Sequence, residues 1–167
     1  MRILSGFKRE LCCADPRICL LTTAMALFLG SLSLLLSGAG SCFALLLMPT
    51  FAVGYVGWLI LWIIHYVLIG LALGLTVGSC CCHLRLMGRG VIFWAFFLLC
   101  SLLWVPLFFS AGMRITAFLL IAAAVCFGLC ALSAFARRSL LSAVLLLVCI
   151  GWQIYGFLLA LLIILWN

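Results

Sequence analysis

The sequence predicts an all-α membrane protein built as a bundle of five transmembrane helices. Three observations carry that expectation. Of the 167 residues, 71% are hydrophobic and 7% are charged, too few polar groups to cover a water-soluble domain. Five apolar segments reach the roughly 20 residues that a helix needs to cross a hydrocarbon core about 30 Å thick. The basic residues then distribute unevenly about those segments. No segment alternates in the manner of a ten-residue barrel strand, so helices are expected throughout.

The expected spans are Ile18–Leu36, Gly54–Val77, Val91–Phe109, Ile115–Phe135 and Leu140–Trp166. Residues 1–17 form a basic N-terminal segment and 18–167 the membrane domain. Arg2, Lys8, Arg9 and Arg17 precede the first span, Arg85 and Arg89 follow the second, and Arg137 and Arg138 follow the fourth. Only Arg114 falls on the other side. Eight of the nine basic residues therefore share one face, and the positive-inside rule gives an N-in, C-out orientation. The net charge of +7 is topological, and no nucleic acid is expected as a partner. Residues 1–40 also have a signal-peptide outline ending in SGAGS, but the apolar run from Ile18 is long for an h-region and reads as a retained span.

The connection Ser37–Val53 is itself apolar and is expected to fold back over the outer end of the bundle as a cap. Ser110–Arg114 is short, which makes spans three and four antiparallel neighbours. Gly70, Gly74 and Gly78 form a smooth stripe suited to packing against another helix or, in a homodimer, a second subunit.

Eleven cysteines resemble a disulfide set. Cys19, Cys100, Cys126, Cys130 and Cys149 lie within spans, where a thiol behaves as a small apolar group. Cys12, Cys13 and Cys80–Cys82 flank spans on the basic side and read as reduced interface thiols or acylation sites. The CCCH run at 80–83 is a poor metal cluster, because adjacent cysteines cannot all converge on one zinc. No metal site is expected.

Aromatic residues fall at helical spacing. Trp58, Trp62 and Tyr66 share one face of span two, and Ser101, Trp104 and Phe108 form a stripe on span three. Trp152 and Gly156 follow on span five. Tyr55, Trp58, Trp94 and Trp166 lie near span ends and read as interfacial anchors. Trp62, Trp104 and Trp152 are deeper, and each indole N–H needs an acceptor. They belong either to a packed core or to a pocket. Pro106, inside span three, removes a backbone donor and frees a carbonyl, which in lipid demands compensation.

These phrases resemble the translocator protein family, also called tryptophan-rich sensory proteins (TspO/MBR). Its third span carries a phrase like N-L-L-W-S-P-L-F-F, and this chain has SLLWVPLFF at 101–109. Pro49, Trp62, Tyr66 and Gly70 fall at the spacings of the family's first loop and second span. WQIYGFLLA, from Trp152 to Ala160, is similar to its last span. Phe51 stands where the family has a loop tryptophan, Val53–Gly54 replaces a proline pair, and Ser101 and Ala160 replace two membrane asparagines. Without those amides the interior is expected to be more apolar, with Ser101 returning its hydroxyl to its own helix.

The resemblance implies a flat hydrophobic ligand, a tetrapyrrole (porphyrin or haem) or a sterol-like lipid, held inside the bundle. Phe51, Trp62, Tyr66, Ser101, Trp104, Phe108, Trp152 and Gly156 would line that site, in a sensory, regulatory or transport role. No cofactor is required for it. A small transporter subunit and a scaffold with a filled core are the alternatives. No enzyme is expected, since no carboxylate lies in a span and no nucleophile–base pair is identifiable; porphyrin breakdown enters by resemblance alone. His65 is the one histidine inside a span. It reads either as a proton relay or haem-iron ligand, or as a neutral ring bonded to a neighbouring helix.

Overall fold

The computed structural model describes residues 14–40, 46–47, 49–78 and 84–166, the side chains of 84–87 excepted. Five long helices account for most of these residues: α1 (Pro16–Ser37), α2 (Tyr55–Gly78), α3 (Leu84–Phe109), α4 (Arg114–Ala136) and α5 (Leu140–Trp166). All five are long and apolar enough to cross a membrane. The expected spans match them within a few residues except at α3, which begins at Leu84 instead of Val91. Hydropathy marks where the apolar run begins, whereas the helical hydrogen-bond ladder extends before it through Arg89 and Arg85.

Local chemistry sets the ends. Asp15 is extended at the N-cap of α1, and its carboxylate accepts from the Arg17 N–H at 2.8 Å. Pro16 follows at the first helical position, where its missing donor costs nothing. The α3–α4 turn is closed by Pro106, whose carbonyl accepts from the Ser110 and Ala111 amides at 2.9 and 3.0 Å. Gly112 provides the left-handed residue there, with φ of 65°.

The helices close into a ring in the order α1, α2, α5, α4, α3 and back to α1, while α2 and α3 approach only slightly. The pair α3–α4 makes the most extensive contact, as the short turn between them requires. The glycine stripe of α2 packs against α1 within the same chain. A Cβ at Gly70 would lie 2.5 Å from Thr23 Cα, and one at Gly74 would lie 2.6 Å from Cys19 Cα. The absent side chains let the two backbones meet.

One end of the bundle gathers the basic residues. The Asp15 amide donates to the Gly78 carbonyl at 3.1 Å, Thr76 Oγ1 lies 2.7 Å from Ser142 Oγ, and Gly90 sits beside Phe135. Arg17, Arg89, Arg137 and Arg138 therefore share that end, and Arg114 lies at the other. Cys19, Cys100, Cys126, Cys130 and Cys149 are free thiols. Cys12, Cys13, Cys42 and the CCCH run lie outside the described residues.

Candidate functional site: an aromatic core bridged by a buried amide

Rings from α2 and α3 form one continuous cluster in the bundle. Trp58 stacks on Trp62 at 5.1 Å, and Trp62 meets Tyr66 edge-on at 5.0 Å. Across the helix gap, Trp104 meets Trp62 edge-on at 6.1 Å, and along α3 it meets Phe108 at 6.3 Å. All of these rings are buried. The cluster depends on Gly30 of α1, where a Cβ would lie 2.5 Å from the Tyr66 ring. That close approach also brings the Gly30 carbonyl to the Trp62 indole, which donates to it at 3.4 Å.

The structure thus brings Trp62, Tyr66, Trp104 and Phe108 together, with Ser101 beneath them: Tyr66 Oη donates to the Ser101 carbonyl at 3.0 Å. Gly156 of α5 joins the group, since a Cβ there would lie 3.9 Å from Trp104 Cζ2. Trp152 is half-buried and turns to a different surface, stacking on Tyr155 at 5.3 Å. Phe51 is exposed and meets the Tyr155 ring edge-on at 6.4 Å. The described part of the first connection lies over the bundle: Tyr155 Oη accepts from the Val53 amide at 3.1 Å, and Leu46 and Ala52 pack against the core.

Two tryptophans differ from the sequence expectation. Trp58 and Trp94, read as interfacial anchors, are buried at 2% and 4% exposure, and Trp94 donates to the Ile69 carbonyl at 3.1 Å. Trp58 stands near the end of α2 with its ring turned inward, whereas Trp94 lies well inside α3, which starts seven residues before the expected span, and reaches the middle of α2. Trp166 remains exposed, as an anchor should be.

The residue that sequence reasoning missed is Gln153. It is the chain's one glutamine, it is buried, and its Nε2 donates to Ser101 Oγ while lying 3.3 Å from His65 Nε2. Ser101 does not turn back on its own helix alone, because its oxygen is engaged from α5. The family positions 101 and 160 lack amides here, but one is restored at 153, on the same helix as Ala160. A carboxamide inside a span was the available signal. His65 accordingly takes the second of its two readings, a ring held by a neighbouring helix.

Two buried side-chain donors or acceptors among the described residues lack a partner: Trp104 Nε1 and His65 Nδ1. Such groups cost on the order of 1–3 kcal/mol each when left unmatched. Trp104 Nε1 lies on the same ring edge as Cζ2, the edge turned to Gly156. Among the described residues, no group of three His, Cys, Asp or Glu side chains could hold a metal.

Residues 18–166 match the model of the TspO/MBR family. A comparison with curated proteins finds no match.

Proposed function

Because this chain belongs to the TspO/MBR family of multi-pass membrane proteins, we propose that it binds a flat hydrophobic ligand, a tetrapyrrole or sterol-like lipid, inside the bundle beneath the first connection. The observation that carries this reading is the unmatched Trp104 indole N–H, buried and turned toward the small residue Gly156. A ligand carboxylate or carbonyl supplies the missing acceptor. Trp62, Trp104 and Phe108 supply planar apolar walls, and Tyr66 and Ser101 the polar floor; Phe51 and Trp152 stand apart from this group. The rings touch one another without a ligand, so on this reading they part around it. Ring edges pack with modest energies, about 0.5–1.5 kcal/mol per pair beyond burial, which makes that opening affordable. The clustering of Arg17, Arg89, Arg137 and Arg138 supports an N-in orientation with the cap on the opposite side. The role is sensory, regulatory or in transport.

The test is titration of the purified protein with a dicarboxylic porphyrin, read by tryptophan quenching. Trp104→Phe keeps most of the ring area and removes the N–H; it should weaken the porphyrin about tenfold while stability holds or rises, one unmatched donor having been removed. The mutual packing of Trp62 and Trp104 favours a second reading, a scaffold with a filled core. Absence of saturable quenching, or equal affinity in Trp104→Phe, selects that alternative.

A further inference from the structure

The geometry points to a second binding site, on the bilayer side of the bundle, for a small carbonyl-bearing ring of the quinone class that enters from the membrane. It does not depend on the interior ligand. Between α2 and α5 lies a cavity of about 260 Å³, lined among others by Leu61, Ile64, His65, Val148, Gly151 and Trp152. Leu61, Ile64, Val148 and Gly151 are exposed on the outside of the bundle, so the cavity opens sideways into lipid. Its volume lies below the roughly 300–1,000 Å³ of pockets for drug-sized ligands, which suits one small ring and is too little for a tetrapyrrole.

The lining is mostly apolar; besides the Trp152 indole it carries the Tyr155 hydroxyl and the Cys149 thiol, already bonded to the Val53 amide and the His65 carbonyl, and the ring of His65, which is only 2% exposed. With the Gln153 amide donating to both Ser101 Oγ and His65 Nε2, Nε2 accepts and the ring proton lies on Nδ1. Nδ1 has no partner. In hydrocarbon neither water nor headgroup can satisfy it, and turning the ring would break the bond to Gln153. The complementary group is an uncharged acceptor at the same depth. His65 is the eleventh residue of the 24-residue α2, near mid-membrane and well below the ester carbonyls of phospholipids. A carbonyl at that depth belongs to a molecule apolar enough to dissolve in the bilayer core. Trp152, backed by Tyr155 on which it stacks with an interplanar angle of 28°, offers an aromatic surface at the cavity wall. An alkyl or prenyl tail leaves through the lateral opening.

The experiment uses the full chain in lipid nanodiscs, with equilibrium binding of decylbenzoquinone and of decylbenzene, which has the tail and ring without the carbonyls. Empty nanodiscs report partitioning. The expected result is saturable binding of one quinone per chain, with decylbenzene at least tenfold weaker. A Cβ at Gly151 would meet nothing within 4 Å, so Gly151→Leu fills the cavity without moving the backbone; it should abolish quinone binding and leave porphyrin quenching intact. His65→Phe should erase the preference for quinone over decylbenzene. Partitioning alone, unchanged quinone binding in Gly151→Leu, or a preference retained in His65→Phe overturns the proposal. So does loss of both ligands in Gly151→Leu, which would indicate a single site. If His65→Phe does not fold, the Gly151→Leu outcome decides alone.

Discussion

Ser33 of α1 donates its hydroxyl to the carbonyl of Leu102 on α3, the carbonyl that Pro106 cannot serve. In an α-helix the amide of residue 106 would bond to the carbonyl of residue 102, and proline has no amide hydrogen. The carbonyl left without its helical donor is therefore satisfied from a neighbouring helix, and the same bond ties α1 to α3. The proline of SLLWVPLFF thereby leaves an acceptor on α3 that fastens it to α1.

That relationship predicts a thermodynamic cycle. Ser33→Ala leaves the Leu102 carbonyl unmatched and should cost about 0.5–2 kcal/mol, the scale of interhelical hydrogen bonds in membranes. Pro106→Ala restores the helical donor, so Ser33→Ala should cost much less in that background. Unfolding in mixed micelles measures the four proteins; additive effects would sink the assignment.

Ser101 and Gln153 predict a transplant. Ser101 is fully buried with Gln153 against its oxygen, so Ser101→Asn overfills the site and should destabilise by about 1–3 kcal/mol. Combining it with Gln153→Ala returns the amide to the position where the family carries one and vacates the space, so the double variant should recover most of the loss. A double variant no better than Ser101→Asn alone would show that the two side chains do not compete for one volume.

Gly70 predicts a steric failure with an internal control. Gly70→Ala places a methyl 2.5 Å from Thr23 Cα and 2.8 Å from the Thr22 carbonyl oxygen. Backbone atoms cannot swing aside, so α1 and α2 must separate, at about 1–3 kcal/mol. Gly151→Ala, with nothing within 4 Å, should be near neutral. Thermal stability of the two variants in one detergent checks the contrast.

Orientation predicts a labelling pattern. With the basic end of the bundle on the side of synthesis, an impermeant thiol reagent added to intact cells should miss Cys80–Cys82. A cysteine introduced in place of exposed Met113, in the α3–α4 turn, should react. The reverse pattern would invert the N-in orientation.

The sequence by itself determined how many helices among the described residues are long and apolar enough to cross a membrane, about where each lies, and which ends group together. Those properties follow from transferring side chains out of water and from the placement of arginines, both of which are legible one residue at a time. The motif around Trp104 and Pro106 identified the family for the same reason, as a local string. What only the tertiary structure decided is which face of each helix points inward. Lipid tails and protein interior are equally apolar, so burial in the bundle leaves little amphipathic trace. Hence Trp58 and Trp94 read as anchors although they are packed inside, and the glycine stripe did not reveal that its partner is α1. The bridge from Gln153 to Ser101 and His65 joins residues 52 and 88 positions apart, so neither its existence nor the unmatched nitrogen it leaves on His65 could be read from local pattern. That required the ring of helices to close and bring α5 against both α2 and the polar residue of α3.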